Sequence, residues 1–295
     1  VVGAIGEDSQ AKGVNGDQAD NSCVYPDKDS LYVLELPCDR ATYQNYGINN
    51  GAAYVFTRSG GEWTQEAYLK PATTFFSTLF GSSVDISGDG NTLAVGAKGD
   101  TSIIVNTDNA DSIDKALVQE AAALIGTGST YVFTRSGTTW AQEAYLQAST
   151  LTAAGEFGGD VSLSKDGNTL AVGSFREASN AKGINGDEGD TSAARAGAVF
   201  VYTRDNSVWT QRSYVKASNT DADDRFGLNV DLSGDGKNMA VGAHRESGRG
   251  YASATSSEAS SDANSTSSSA CSASSTEALD QCDNSANTAG AVYLF

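Results

Sequence analysis

Apolar and polar residues alternate in short segments along this chain of 295 residues, and the segments recur in a fixed order. The first kind of segment opens with Phe-Gly: FGSSVDIS from Phe80, FGGDVSLS from Phe157 and FGLNVDLS from Phe226. A second kind follows each of them, namely GDGNTLAVGA (88–97), KDGNTLAVGS (165–174) and GDGKNMAVGA (234–243). Alternation with period two indicates β-strands, and the Asp-Gly between the two kinds indicates a tight turn. Each pair of segments therefore predicts an antiparallel hairpin.

Two further segments complete each copy of this repeat. The third kind reads GAAYVFTRSG (51–60), GSTYVFTRSG (128–137), GAVFVYTRDN (197–206) and GAVYLF (290–295). The fourth kind carries a Trp and reads EWTQEAYLKPA (62–72), TWAQEAYLQAS (139–149) and VWTQRSYVKAS (208–218). The opening VVGA (1–4) matches the end of the second kind. The chain thus holds four copies, at about 1–72, 80–149, 157–218 and 226–295, of which the first lacks its Phe-Gly strand and the last lacks its Trp strand.

Four short antiparallel strands in each copy predict an all-β fold, namely a β-propeller with four-stranded blades. The glycines of the Gly-Ala or Gly-Ser pairs, Gly96, Gly173 and Gly242, would let the inner strands approach the axis closely. The incomplete end copies leave three interpretations open. The chain is a segment of a longer propeller, its two ends share strands in a four-bladed ring, or separate copies pair head to tail into a filament.

Long insertions separate the second and third strands of every copy. They span residues 5–50 (insertion one), 98–127 (insertion two), 175–196 (insertion three) and 244–289 (insertion four). Because all four leave the same edge of a blade, they should lie on one face of the ring, and such a face often binds ligands. Helical spacing of apolar residues predicts a short helix at 112–126. Insertion four is rich in Ser and Ala, and its Asn264 opens an Asn-Ser-Thr sequon for glycosylation.

The repeated pairs resemble the FG-GAP repeats of the integrin α-subunit propeller, and in particular their secreted bacterial relatives. The motifs that carry this resemblance are Phe80-Gly81, Phe157-Gly158 and Phe226-Gly227, together with Gly96-Ala97, Gly242-Ala243 and Gly290-Ala291. The resemblance implies an extracellular propeller for adhesion or ligand binding, often with calcium. The integrin calcium loops carry D-x-D-x-D-G between the first two strands, whereas the turns here read only SGDGN, SKDGN or, in the fourth copy, SGDGK. Those calcium sites are therefore not expected in this chain.

A different calcium site is predicted in insertions one and three, which share the motif AKGxNGDxxD and should share one conformation. Oxygen ligands of the kind that calcium prefers are clustered there. The candidates are Asn15, Asp17 and Asp20 in insertion one, Asn185, Asp187 and Asp190 in insertion three, and Glu7 and Glu177 at the strand exits. The alternative is a solvated loop of Asx turns that binds no metal.

The composition excludes several classes of partner and chemistry. A net charge of −18 disfavours nucleic acid and anionic membrane surfaces, and no apolar run is long enough for membrane insertion. A single His, His244, excludes most His-based zinc sites and catalytic triads and is interpreted as an exposed residue at a loop base. The recurring Trp63, Trp140 and Trp209 are interpreted as core between blades, with a sugar-stacking platform as the alternative.

The four cysteines fall in two pairs, Cys23 with Cys38 and Cys271 with Cys282, each within one long insertion. Pairing within each insertion is the most economical connectivity, and it indicates an oxidising, extracellular compartment. Four free thiols are the alternative.

Three functions are compatible with these observations. The first is a non-enzymatic extracellular or cell-surface propeller for adhesion or structural assembly, with a protein or glycan surface as its partner or with further copies of itself in a filament. The second is a calcium-assisted lectin. The third is an enzyme that uses paired carboxylates, for which Asp223-Asp224 and Glu7-Asp8 are available but not fixed as pairs by any motif.

Overall fold

A computed structural model describes the chain over residues 1–7, 9, 11–18, 22–26, 33–37, 50–72, 78–100, 126–247 and 290–295. Over 22–26 and 33–37 the description covers the backbone alone. In this part of the chain the regular structure is β-strand, and no helix in it is long and apolar enough to cross a membrane. The helix predicted at 112–126 lies almost wholly outside the described residues.

The strands form four successive antiparallel sheets and one separate hairpin. Their bounds are β1 Val2–Ala4, β2 Ser22–Pro26, β3 Val33–Pro37, β4 Ala52–Ser59, β5 Glu62–Leu69, β6 Phe80–Ile86, β7 Thr92–Ala97, β8 Ser129–Ser136, β9 Thr139–Leu146, β10 Asp160–Leu163, β11 Thr169–Ser174, β12 Ala198–Asp205, β13 Val208–Val215, β14 Phe226–Leu232, β15 Met239–Ala243 and β16 Ala291–Leu294. The first sheet has the order β1-β4-β5, the second β6-β7-β8-β9, the third β10-β11-β12-β13 and the fourth β14-β15-β16.

This topology confirms the predicted all-β fold of four-stranded antiparallel blades. The two complete copies are meanders of four strands, and the first and fourth sheets have three strands each. The described sheets do not close into a ring. In all four copies the insertion joins the second strand of the repeat to the third, which are β1 and β4 in the first sheet, so the insertions leave equivalent edges. The hairpin β2–β3, within insertion one, was not predicted because its sequence does not belong to the repeat.

The hydrophobic core lies between successive sheets. Ala53, Val55 and Leu69 of the first sheet pack in one cluster with Phe80 and Tyr131 of the second. Corresponding clusters join the second sheet to the third and the third to the fourth. The Phe of each Phe-Gly pair is buried at the centre of its cluster and contacts aromatic rings of its own third strand, as Phe80 does with Tyr131 at a centroid distance of 5.3 Å. Burial of aromatic residues contributes strongly to such interfaces.

Glycines permit the close approach of neighbouring sheets. A Cβ atom added to Gly3, Gly96 or Gly173 would lie 2.0–2.1 Å from the carbonyl oxygen of a Gly in the next sheet. No side chain fits at that distance, so the predicted crowding is confirmed for Gly96 and Gly173. Gly242, the equivalent residue of the fourth sheet, differs, because the atom nearest to its added Cβ is 3.7 Å away in Asn229 of its own sheet.

Side chains on the inner strands hold the backbone of the following sheet. Asp85 Oδ2 accepts a hydrogen bond of 2.6 Å from the backbone N–H of Leu163, and Asp160 Oδ2 accepts one of 2.8 Å from Val230. Burial raises the pKa of Asp160, and the charge of Asp85 adds to the increase. The first strand of one sheet is thereby tied to the first strand of the next.

Candidate functional site

An acidic residue recurs at the base of every insertion, three positions after the Gly-Ala or Gly-Ser pair. Its backbone N–H donates to the last residue of the second strand, and its carbonyl accepts the N–H of the Gly that precedes the third strand. Both bonds are present in all four copies, so this residue fixes where each insertion leaves and rejoins the sheet. The four residues are Glu7, Asp100, Glu177 and Glu246.

In the third copy this acidic side chain forms a buried ion pair. Lys216, in the residue after β13, places its Nζ 2.7 Å from Glu177 Oε2, and both side chains are buried. Burial lowers the pKa of Lys216, and the charge of Glu177 opposes that decrease. In the first copy Lys70 forms the equivalent ion pair with Glu7, and its Nζ also donates to Gly51 O at 2.8 Å.

The second copy replaces this ion pair with neutral donors. Gln147 stands at the position of the lysine, and Asp100 is buried. Asp100 Oδ2 accepts hydrogen bonds from Ser129 Oγ at 2.5 Å and from Tyr131 Oη at 2.8 Å. Lys70 and Lys216 thus belong to the two copies whose insertions carry the AKGxNGDxxD motif.

The two AKGxNGDxxD loops have the same conformation, as predicted, where both are described, which in insertion one is residues 11–18. Asn15 and Asn185 have φ values of 55° and 56°, a left-handed conformation that Asn adopts more readily than most residues. The N–H of Asn185 donates to Tyr214 O at 2.7 Å, and Asn185 Oδ1 accepts the N–H of Tyr214 at 3.0 Å. Asn15 makes the same two bonds with Tyr68. Each loop thus pairs with the outermost strand of its sheet and covers part of that exposed edge.

The structure gives several of the predicted calcium ligands other partners. Glu177 bonds to Lys216 and to the N–H of Ser179, and Asn185 bonds to Tyr214. Asp187 and Asp190 each accept the backbone N–H of the residue two positions later, as in Asx turns. Glu7 is paired with Lys70, Asn15 with Tyr68, and Asp17 is exposed, whereas Asp20 lies outside the described residues.

This arrangement fits calcium poorly at the strand exits, because an ammonium group already contacts Glu7 and Glu177. Over the described ranges, no group of three His, Cys, Asp or Glu side chains is arranged to hold a metal ion. Calcium binding by the loops stays a prediction. The disulfide predictions also stay open, because the side chain of Cys23 and the whole of Cys38, Cys271 and Cys282 lie outside the description, as does Asn264.

The Trp residues take part in a repeated joint between sheets. Glu66, on the outermost strand of the first sheet, accepts hydrogen bonds from Arg135 Nη1 at 3.0 Å and from Trp140 Nε1 at 2.8 Å in the second sheet. Glu143 does the same for Arg204, at 3.1 Å, and Trp209, at 3.0 Å, of the third sheet.

The interpretation of the Trp residues as core holds best at Trp140, which is 3% exposed. The sequence alone did not reveal the Glu–Arg–Trp joint, because its members come from different copies. The signal was nevertheless present, since Arg and Trp recur in the third and fourth segments and a Glu stands in the fourth segment of the preceding copy. The third copy carries Arg212 at the position of that Glu.

The remaining candidate residues are placed as follows. His244 is exposed at a loop base, as interpreted, and its pKa is lowered by burial and by the nearby Arg225 and Arg245. Asp224 is buried, whereas Asp223 lies beside Arg195 in an ion pair. Asp8 lies outside the described residues.

Comparison with known families supports the repeat. The family model described as the FG-GAP repeat matches residues 209–257, which include the Phe-Gly strand and the Gly-Ala pair of the fourth copy. No curated protein matches the chain.

Proposed function

We propose that this FG-GAP repeat protein is a non-enzymatic extracellular module for adhesion or structural assembly, and that it associates with further copies of itself head to tail. The observation that carries the proposal is a difference in exposure. Residues that are buried between the internal sheets are exposed on the two terminal sheets, and the two exposed faces correspond to the opposite sides of one interface between sheets.

On the first sheet, Trp63 is 66% exposed, whereas the equivalent Trp140 is 3% exposed. Trp140 is covered because it packs in one apolar cluster with residues of the preceding sheet, where Glu66 also accepts a hydrogen bond from its indole N–H. Arg58, the equivalent of Arg135, makes a long bond of 3.5 Å to Gly61 O in its own turn. The first sheet therefore presents the Arg and Trp half of the joint to solvent.

On the fourth sheet, Val292 and Leu294 are 73% and 84% exposed. Val199 of the third sheet is the equivalent of Val292 and is fully buried. Val132 of the second sheet is the equivalent of Leu294 and is also fully buried, whereas Val201, its equivalent in the third sheet, is partly buried. Gly242 has open space where Gly96 and Gly173 meet the next sheet. The fourth sheet therefore presents to solvent the apolar face that the second and third sheets pack against the next sheet, although it has no fourth strand to carry the Glu of the joint.

A second copy of the chain fits these faces because the internal sheets already pack in this way. Exposed apolar side chains of this size favour association, at roughly 25 cal/mol for each Å² of apolar surface removed from water. A heterologous contact of this kind leads to a ring if its rotation closes and to a filament if it does not. The net charge of −18 keeps such assemblies soluble through repulsion between their other surfaces.

The same side chains favour this function over the alternatives. Trp140 is too deeply buried to stack on a sugar ring, which disfavours a sugar-stacking platform that repeats in every copy. Asp223 and Asp224 differ strongly in environment, but Asp223 is neutralised by Arg195 rather than free to act as a base or nucleophile. FG-GAP repeat propellers are in general non-enzymatic, which agrees with this proposal.

Analytical ultracentrifugation and electron microscopy of the purified chain test the proposal. We expect the sedimentation coefficient to increase with concentration, and Trp63→Ser or Leu294→Asp to abolish the increase. Val208→Asp serves as the matched control, because Val208 is an exposed apolar residue of the third sheet, outside both terminal faces. A monomer at every concentration, or equal loss in the control, would overturn the proposal.

A further inference from the structure

Four arginine side chains converge on the insertion side of the molecule, where the third and fourth sheets meet. Two of them follow the second strands of these sheets, and two precede the strands β12 and β14. They are Arg176, Arg245, Arg195 and Arg225, and together they are called the arginine cluster. Convergence of this kind is unexpected in a chain with only 19 Lys and Arg residues against 37 Asp and Glu residues.

Backbone hydrogen bonds hold the cluster in place. The N–H of Arg225 donates to Arg195 O at 3.1 Å, and the N–H of Arg245 donates to Asp224 O at 3.3 Å. Arg195 and Arg225 both have positive φ values, 59° and 57°, which bulky residues seldom adopt. The residues before the other two Phe-Gly pairs, Leu79 and Glu156, have φ values of 52° and 56°, so the conformation of Arg225 belongs to the repeat and fixes where its side chain begins.

The positive charge of the cluster is only partly balanced. Arg176 Nη1 lies 3.0 Å from Glu156 Oε1, and Arg195 Nε lies 2.7 Å from Asp223 Oδ1 in an ion pair that is not aligned as a hydrogen bond. Within the described residues, Arg225 and Arg245 form no ion pair. Neither guanidinium group has a carboxylate in ion-pair contact there, although the charge of Asp223 acts on Arg225 from a greater distance.

Two nitrogen atoms of the cluster also lack hydrogen-bond partners. The Nε atoms of Arg176 and Arg225 are buried, and neither has an acceptor in the described part of the chain. A buried donor without an acceptor destabilises the folded state, because it has lost its hydrogen bond to water. Burial lowers the pKa of Arg225, and the charges of Arg245, Arg176 and Arg195 lower it further. The guanidinium groups are therefore close enough to repel one another.

We propose that the arginine cluster binds a compact oxyanion, which is a sulfate, phosphate or carboxylate group presented by a small molecule or by the end of a larger ligand. Planar guanidinium groups match such oxyanions with paired N–H donors. An anion at this place would neutralise Arg225 and Arg245 and supply acceptors near the unpartnered Nε atoms. The negative charge of the remaining surface repels long polyanions, so a compact group is favoured over a nucleic acid or an extended polyanionic chain.

Isothermal titration calorimetry on the full chain at low ionic strength tests the proposal, with sodium sulfate, sodium phosphate and sodium malonate as separate probes and sodium chloride as the reference. We expect saturable binding of one anion per chain, which sodium chloride weakens. The preferred probe distinguishes the tetrahedral anions from the carboxylate. Arg225→Gln and Arg245→Gln should each weaken binding at least tenfold. Arg212→Gln is the matched control, because Arg212 lies on β13, outside the cluster, where its Nε donates to Thr203 Oγ1.

Absence of saturable anion binding to the unaltered chain would overturn the inference. It would also be overturned if Arg225→Gln and Arg245→Gln both bind the anion as well as the unaltered chain, or if the control Arg212→Gln loses binding too. If Arg225→Gln does not fold, Arg245→Gln decides the outcome, because Arg245 is exposed. The titration is repeated in the Leu294→Asp background, so failure of self-association and failure of anion binding remain distinguishable.

Discussion

Lys216 Nζ lies 2.7 Å from Glu177 Oε2, and both side chains are buried beneath insertion three. The base of this loop therefore contains its own cation, at the place where the sequence suggested a metal ligand. An ion pair in this environment is sensitive to the loss of one partner, because the other charge stays buried without compensation.

We expect Lys216→Met to lower the free energy of unfolding by about 3–5 kcal/mol, because it leaves Glu177 charged and buried. Lys182→Met is the control, since Lys182 is an exposed lysine of the same insertion, and its effect should stay within about 0.5 kcal/mol. Urea denaturation monitored by fluorescence measures both. Combining Lys216→Met with Glu177→Gln should recover part of the loss, and a purely additive result would contradict the coupling.

The joint between the first and second sheets yields a second prediction. Glu66→Ala removes the acceptor of Arg135 and Trp140 and should cost about 1–3 kcal/mol of stability. Glu62→Ala, in an exposed residue of the same strand, should have almost no effect. Thermal denaturation of both variants checks this, and equal changes in melting temperature would show that the joint contributes little.

The effect of Glu66→Ala should also depend on pH. Burial raises the pKa of Glu66, but the hydrogen bonds from Trp140 and Arg135 outweigh it and leave that pKa below its ordinary value. A carboxyl group with a lowered pKa stabilises the folded state above its unfolded pKa, and this contribution is lost as the pH falls through the folded pKa. The difference between the unaltered chain and Glu66→Ala should therefore shrink below about pH 4. A difference that stays constant down to pH 3 would argue against this role of the charge.

Asp224 yields a prediction of the opposite sign. Burial raises the pKa of Asp224 to about 7, and the carboxylates of Glu246 and Asp221 add to the increase. The hydrogen bond from the backbone N–H of Asp221 and the charge of Lys216 lower that pKa, but they do not outweigh the burial. The folded state then holds a proton that the unfolded chain releases near pH 4, so stability should fall as the pH rises from about 4 to 7. Asp224→Asn should remove this part of the pH dependence.

Urea denaturation at pH 5 and pH 7.5 measures that change. Asp205→Asn, in an exposed residue of β12, is the control and should keep the pH dependence of the unaltered chain. If Asp224→Asn has the same slope as the control, Asp224 does not titrate in this range.

Two equivalent glycines are expected to respond differently to substitution. Gly173→Ala would place a Cβ 2.1 Å from Gly227 O, and because both groups are backbone-fixed the cost should reach about 3 kcal/mol or more. Gly242→Ala meets no atom closer than 3.7 Å and should leave the folding of the single chain unchanged. Circular dichroism melting curves compare the two variants. Gly242→Ala should still reduce self-association, and a variant that assembles normally would contradict the proposed contact.

The sequence predicted the strands well because their alternation and turn residues are local signals that the repeat displays several times. The order within each sheet and the connection that carries each insertion followed from the same repetition. The ion pair of Glu177 with Lys216 was missed because the two residues are 39 positions apart and belong to different segments. The repetition of an acidic residue after each Gly-Ala or Gly-Ser pair was visible in the sequence, but only the fold shows that it meets a lysine.

The arginine cluster and the joint at Glu66 could not be read from one copy, because each combines residues of two sheets. Arg225 precedes a Phe-Gly pair, and the equivalent residues of other copies are Leu79 and Glu156. The side chain at this position is therefore apolar, acidic or basic, depending on the copy. Contacts between sheets depend on packing geometry, which strand periodicity does not encode.

The bonds from Asp85 to Leu163 and from Asp160 to Val230 cross from one sheet to the next at their inner strands. A tensile load applied to the two ends of the chain would act on these bonds in parallel with the apolar contacts beside them. The second, third and fourth sheets should then resist extension jointly rather than detach one after another.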